Sequence, residues 1–451
     1  MRKIIQYMMM ALIAVVLASC ANDISEESTP TVKSNIRFVV DDFPMFEKPS
    51  TRTIGEEDKG KTAWAVGDEI CVKLESKELG TQTATLKYNG VKFEIQDGNS
   101  LCYLDGEPVT AYAYYAPNRK WLNDGNLGYK DGEHDGTAEF LEATCTVHYG
   151  DDNYVDISFA NATRNYSRLR IATIPKTEIK VDADNFAPTD NPNLLYMTYT
   201  LTSDEKGNAY LYGTFDNNSI VTVKYRGASL ATHKFSKRTE NAKSYALDAT
   251  VISANSAEEI KSAIEQKVAD GKTIIRLNLA PNAGTDEFMA IREAIKGAAP
   301  NDEGTIELTI IGVETIPEEA FKRMSQLKSV KMPDVKEIKK YAFSECQYLT
   351  VVEAPSLNKL NSGAFNECNL LSKLTFGPIN YADARYWPIF KDITPNIDLI
   401  LSDYQKEMIE TDDNLYTANN DIDYAFSNKH LNKNFLGREF KSITCRRYRV
   451  E

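Results

Sequence analysis

Three Ala-Phe pairs, Ala320-Phe321, Ala342-Phe343 and Ala364-Phe365, recur at a spacing of 22 residues. The apolar positions around them keep the same register: Val313, Val335 and Leu357; Ile316, Ile338 and Leu360; Met324, Cys346 and Cys368; Leu327, Leu349 and Leu371; Val330, Val352 and Leu374. One such unit is too short to enclose its own apolar side chains, so units must stack, each covering the next, into a quasi-one-dimensional coil. The period predicts such a stack over Ile306–Phe376, with Leu308 and Ile310 fitting one period earlier as a partial unit. After Gly377 the period decays, as expected of terminal units that face water; Ile397–Leu401 reads as one further strand and Tyr424–Ile443 as a closing cap. Lys331, Glu353 and Thr375 hold equivalent outward positions. That row is the candidate ligand surface, weighed against an ordinary solvated face. Cys346 and Cys368 share one repeat position, which suits small buried hydrophobes better than a disulfide or a reactive thiol.

Ahead of the repeat the period is helical. Ser256-Ala257-Glu258-Glu259 has the form of a capping box, Ile260, Ile264 and Val268 fall on one face, and Gly271 is a stop signal. Thr273–Leu279 alternates as a strand, and Phe288, Ile291 and Ile295 mark a second helix ending near Gly297. Residues 255–451 are thus expected as a short α/β repeat domain with a helical amino-terminal cap and a closing cap.

Residues 34–250 read differently. Short period-two runs alternate with Gly, Asn and Asp turns: Ile36–Val40, Glu69–Leu74, Thr83–Tyr88, Val109–Tyr115, Tyr154–Phe159, Leu169–Ile174, Leu195–Leu201, Tyr210–Thr214 and Ile220–Tyr225. Such spacing predicts β-sandwiches, divided here into 34–142 and 143–250, so the chain is expected to be mainly β and multidomain. The glycine-rich acidic loop Asn123–Asp135 lacks the spacing of a calcium loop and reads as a solvated turn.

The amino terminus is an address. Arg2 and Lys3 precede an apolar run, Ile4–Leu17, that ends at Leu17-Ala18-Ser19-Cys20. The run is too short for a comfortable membrane span and lacks a basic stop, which reads as a leader over residues 1–19. Residues 20–33 are polar and acidic, a flexible tether.

The 451-residue chain carries a net charge of -13, which loss of Arg2 and Lys3 would take to -15. That balance argues against nucleic-acid partners and against electrostatic adhesion to anionic lipid. None of the seven cysteines forms a CxxC pair, and His134, His148, His233 and His430 are scattered without HExxH or GxSxG company. The expectation is no catalytic residues, no metal and no cofactor. For Cys71, Cys102, Cys145, Cys346, Cys368 and Cys445, disulfides and free thiols both stay open.

Four resemblances follow from these residues. Leu17-Ala18-Ser19-Cys20 resembles the lipobox of bacterial lipoproteins, which implies a lipid on Cys20 and anchoring in an outer membrane, exposed at the cell surface. The acidic stretch behind Cys20 is similar to surface-export signals of Bacteroidetes lipoproteins, or is a plain spacer. Thr51-Arg52-Thr53, then Trp64-Ala65-Val66-Gly67-Asp68-Glu69-Ile70, the tyrosine-rich strand ending at Pro117, and later Ser167–Ile171 and Lys243–Ala249, resemble in their order the fimbrillin-like proteins of Bacteroidetes. That resemblance implies two tandem transthyretin-like sandwiches. It also implies assembly with pilus subunits by strand exchange where a protease cuts after the first strand, here at Arg52, unless Arg52 is an ordinary surface arginine. The repeat pattern I-x-x-x-A-F-x-x-C-x-x-L-x-x-V closely resembles BspA-type leucine-rich repeats. Together the resemblances imply a binding or adhesion module, a pilus tip or accessory component, whose partners are surface proteins or glycans of a host or another bacterium. The alternatives are a fimbrial anchor or structural subunit, and a glycan-capturing lipoprotein with Tyr112, Tyr114 and Trp121 as an aromatic platform.

Overall fold

The structure, a computed structural model, describes residues 32–33, 36–47, 49, 60–96, 100–150, 153–160, 163–189, 196–254, 256–382, 389–393, 396–402, 434–435 and 438–446. The expected leader, Cys20, most of the tether and Arg52 lie outside them. The protein is mainly β and built of several sheets. Among the described residues no helix is long and apolar enough to cross a membrane.

The first sheet has seven strands in the order Arg37–Val40, Tyr154–Phe159, Leu141–His148, Val109–Tyr115, Glu69–Ser76, Gly80–Tyr88 and Phe93–Ile95. Its outermost strands, Arg37–Val40 and Phe93–Ile95, approach within 8 Å without pairing, so the sheet curls around its apolar face. Ile70, Val72, Leu74, Leu86, Val155 and Ile157 point inward and are fully buried, as strand alternation requires. Trp64 fills one end of this core, with Phe43, Phe93, Tyr115 and Phe159 around its ring at 4.9 to 5.7 Å. The turn after it closes because Gly67 takes a φ of 97° while Asp68 Oδ2 accepts the Ala65 amide at 2.6 Å.

The expected division after residue 142 cuts through a strand of this sheet. Leu141–His148 and Tyr154–Phe159 both pair here, the former antiparallel to Val109–Tyr115 and the latter parallel to Arg37–Val40. Period-two alternation looks the same in either sheet, and only the long-range partner decides membership.

The second sheet runs Tyr196–Thr202, Glu178–Pro188, Asn208–Tyr225, Ser167–Ala172 and Ser244–Asp248, with Ala228–Lys234 paired to the later part of the central strand. That central strand of 18 residues replaces the two separate strands expected at 210–214 and 220–225. Asp216-Asn217-Asn218 looks like a turn, yet the register merely shifts between Asp184 and Phe186 opposite it, with Asn185 and Asn218 at positive φ, and the strand continues. The two sheets are joined by a buried ion pair, Arg164 with Glu139, and Arg164 also donates to the Pro44 carbonyl at 2.7 Å and covers the Phe46 ring at 4.1 Å. Removing either charge would strand the other in a dry junction.

From residue 252 every pairing in the main sheet is parallel: Ile252–Ser253, Ile274–Asn278, Ile306–Ile311, Leu327–Lys331, Val351–Ala354, Lys373–Phe376, Asp398–Ser402 and Ser442–Arg446. Helices α1 (Ala257–Ala269) and α2 (Thr285–Ala298) make the first two crossovers. Ser256 caps α1 by accepting the Glu259 amide, as its sequence predicts, and Gly271 follows its end at a φ of 73°. Later crossovers are short turns that add a second ladder, Thr315–Ile316, Glu337–Ile338, Lys359–Leu360 and Tyr381–Ala382. Between the ladders the Ala-Phe pairs stack. Phe321 and Phe343 lie 5.2 Å apart, Phe343 and Phe365 5.4 Å, Phe365 and Phe390 5.7 Å, each ring stacked nearly parallel to the next. Phe390 thus extends the stack one turn past the point where the 22-residue count decays. The strand of that turn, Asp398–Ser402, is the one expected at Ile397–Leu401; of the closing cap expected over Tyr424–Ile443, Ser442 and Ile443 begin the last parallel strand, Ser442–Arg446, and most of the remainder lies outside the described residues.

Candidate functional site

Parallel register fixes one outward row across the main sheet: Arg276, Thr309, Lys331, Glu353, Thr375 and Ile400 stand side by side. Their neighbours Leu308, Val330, Val352, Leu374 and Leu399 point the other way and are buried. The three candidate ligand residues are therefore adjacent, as the repeat predicts.

What covers the row is not legible in the repeat. The second sheet lies over its beginning. Arg276 is 5% exposed and donates to the Leu230 carbonyl at 2.5 Å and the Thr250 carbonyl at 3.4 Å, with Asp248 3.9 Å away. Burial lowers the Arg276 pKa, which Asp248 partly opposes. Further along, the turn at Gly227, Ala228 and Ser229 overhangs the sheet, and a groove of about 340 Å³ remains between that turn and the row.

Lys331 and Lys373 flank Glu353, at 3.9 and 3.6 Å from its carboxylate, and all three side chains are between a third and a half exposed. Charge pairs this wet contribute little to stability and stay available for exchange with an incoming charged group. Beneath them Met332 is fully buried, and Pro333, Pro355 and Ile400 make an apolar floor. Thr375 corrects the expectation of an outward contact. It is 6% exposed, so it belongs to the floor rather than the rim. The arrangement offers two ammonium groups around one carboxylate above an apolar base.

Sequence reading missed Lys373 and the 227–229 turn. Lys373 was within reach, since strand alternation puts it on the face of Thr375. The turn was not, because nothing in its own residues names the sheet it overhangs.

Other sequence candidates fall as follows. Cys20 and Arg52 lie outside the described residues. Tyr114 stacks on Phe140 at 5.9 Å and meets Trp121 at 6.3 Å, Trp121 donates to the Ala84 carbonyl at 2.9 Å, and Tyr112 lies under Lys73 at 4.6 Å. These rings are half-buried in the protein's own packing. In the 123–135 loop, Asp124 accepts the Asn126 amide at 3.0 Å, which lowers its pKa and commits it to the turn. None of the six described cysteines forms a disulfide. Cys346 and Cys368 are fully buried and reach the Phe321 and Phe343 carbonyls at 3.0 Å, which fits small core residues of the ladder.

Residues 305–386 match the BspA type leucine rich repeat region in six copies, a span that contains the Lys331, Glu353 and Thr375 row. No curated protein matches the chain. Among solved structures, two mutant forms of the shaft pilin spaA from Lactobacillus rhamnosus GG are 11% and 10% identical, over 49% of this chain and 98% and 96% of theirs, with TM-scores of 0.17 and 0.16. The Bacillus anthracis TIE protein is 8% identical over 56% of this chain and 64% of its own, with a TM-score of 0.12. Likeness at this level carries no argument about function.

Proposed function

We propose that the chain is a lipoprotein anchored through Cys20 in an outer membrane and exposed at the cell surface, where it binds a surface protein or glycan of a host or another bacterium. In this reading the two sheets are fimbrillin-like, transthyretin-like sandwiches on a short tether. Residues 255–451 form a leucine-rich repeat solenoid that presents the groove, and the protein acts as a single-copy pilus tip or accessory component rather than an enzyme. The observation that carries the reading is the groove itself: its rim charges Lys331, Glu353 and Lys373 lie within the residues that match the BspA type repeat, and the 227–229 turn and Ile400 complete it. The leader and lipobox support export and anchoring.

Two measurements test it. On intact cells producing the protein, trypsin should release repeat peptides, and Cys20→Ala should move the protein off the membrane; full protection until lysis would sink the surface assignment. Adherence of the same cells to epithelial monolayers should drop severalfold for the Lys331→Glu, Lys373→Glu double variant, and unchanged adherence would remove the groove from the reading.

A strand-exchanging fimbrial subunit is the second reading, favoured by the edge position of Arg37–Val40 in the first sheet. Releasing the chain ahead of a cut at Arg52 would also withdraw Phe38 and Phe43 from the first core and Phe46 from beneath Arg164. Oligomer ladders after Arg-specific proteolysis would favour it, and a stable monomer would favour the adhesin.

A further inference from the structure

A second opening lies on the outer face of the second sheet. It has a volume of about 680 Å³ and is lined chiefly by Lys61, Arg168, Arg170, Asp204, Asn208 and Tyr210. Arg168 and Arg170 alternate along Ser167–Ala172 with Leu169 and Ile171, which point into the core. Cross-strand pairing sets Arg168 opposite Tyr212 and Arg170 opposite Tyr210.

Both guanidinium groups are held in place. Arg168 is 4% exposed, donates to Ser244 Oγ at 2.9 Å and lies over the Tyr210 ring at 4.4 Å. Arg170 donates to Asn208 Oδ1 at 3.0 Å. Lys61 borders the opening from the first sheet's side, its ammonium paired with Asp68 and bonded to the Tyr115 hydroxyl at 3.0 Å, so Arg168 and Arg170 carry the site's recognition. The acidic groups at the rim are engaged elsewhere. Asp204 accepts the Lys206 and Asn208 amides at 2.9 and 2.8 Å and the Tyr210 hydroxyl at 3.3 Å, while Glu205 pairs with Lys176 at 2.9 Å.

We propose that this cleft binds an acidic saccharide, a sugar chain bearing carboxylate or sulfate groups. Fixed guanidinium forks match the paired oxygens of both anions. A cationic cleft on a chain of net charge -13 concentrates anions locally against the average field. The side-chain amide of Asn208 and the hydroxyl of Tyr210 are suited to sugar hydroxyls. Among the described residues no aliphatic side chain lines the cleft, so it lacks the pockets that read an extended peptide, and its volume exceeds what one small anion fills. The site is independent of the Lys331–Glu353–Lys373 groove and does not rest on the adhesin reading.

The test is calorimetric titration of the full mature chain with oligogalacturonate, dextran sulfate, neutral dextran and poly-glutamate at low and physiological ionic strength. Binding of oligogalacturonate or dextran sulfate is expected, the stronger of the two naming the acid group. Arg170→Gln, at a half-buried position and checked for folding by circular dichroism, should weaken it at least about tenfold, as losing one charged fork does. Arg168→Gln, checked for folding by circular dichroism, should do the same, and the Lys331→Glu, Lys373→Glu variant should bind like wild type. The proposal is overturned if neither acidic saccharide binds, if neutral dextran binds equally, or if Arg170→Gln changes nothing. Poly-glutamate binding as tightly as the saccharides would assign the cleft to acidic peptide and overturn it equally.

Discussion

Leu370 and Leu371 are neighbours in sequence and opposites in environment. Leu370 is 52% exposed, whereas Leu371 is 2% exposed inside the ladder that contains Leu327 and Leu349. A repeat register wrong by one residue would exchange them, so truncating each in turn tests the register directly. Leu371→Ala removes three buried carbons, about 2.4 kcal/mol at ~0.8 per methylene, and the cavity left behind brings the expected cost to about 3–4 kcal/mol. Leu370→Ala removes the same atoms from a side chain already half in water and leaves no enclosed cavity, for a cost of roughly 1 kcal/mol or less. Hydrogen exchange read by mass spectrometry on peptides covering Val351–Ala354 and Lys373–Phe376 localises the effect. A difference of about 2 kcal/mol appears there as roughly thirtyfold faster exchange in Leu371→Ala than in Leu370→Ala, fading beyond the adjacent turns because each turn contacts only its neighbours. Equal acceleration by the two variants, or a greater one from Leu370→Ala, would refute the register and with it the outward row that lines the groove.

Two further outcomes follow from burial. Burial pushes the Cys346 thiol up to about 12 and raises Cys368 in the same way, so native protein treated with iodoacetamide near neutral pH should be labelled at half-buried Cys102 long before either ladder cysteine. Peptide mass spectrometry showing rapid labelling of Cys346 would contradict the ladder role. His233 has its Nε2 buried without a hydrogen-bond partner among the described residues, and burial lowers its pKa below the ordinary 6.5. The unfolded chain therefore takes up a proton that the folded chain refuses, so this stability is present above about pH 6.5 and is lost as the pH falls toward the folded value. Melting temperatures across that window should decline in the wild type and flatten in His233→Gln; parallel declines would remove His233 as the cause.

Most of the repeat was legible because its apolar positions carry their own register. Phe321, Phe343 and Phe365 stack as counted, and the capping residues of α1 act where the sequence places them. The next turn escaped the count for a local reason. Phe390 follows Phe365 by 25 residues instead of 22, and the extra residues hide a side chain that still takes its place in the stack.

The sequence by itself determined which faces are apolar, since periods of two and 22 are written in consecutive residues. Tertiary structure alone decided which faces meet. It put Tyr154–Phe159 beside Arg37–Val40, joined 210–214 to 220–225 in one strand, turned Thr375 into a floor residue by laying the 227–229 turn over it, and gathered Lys61 with Arg168 and Arg170. Each depends on contacts between residues far apart in the chain, which compete on packing and loop closure across the whole molecule and leave no periodic trace in either partner.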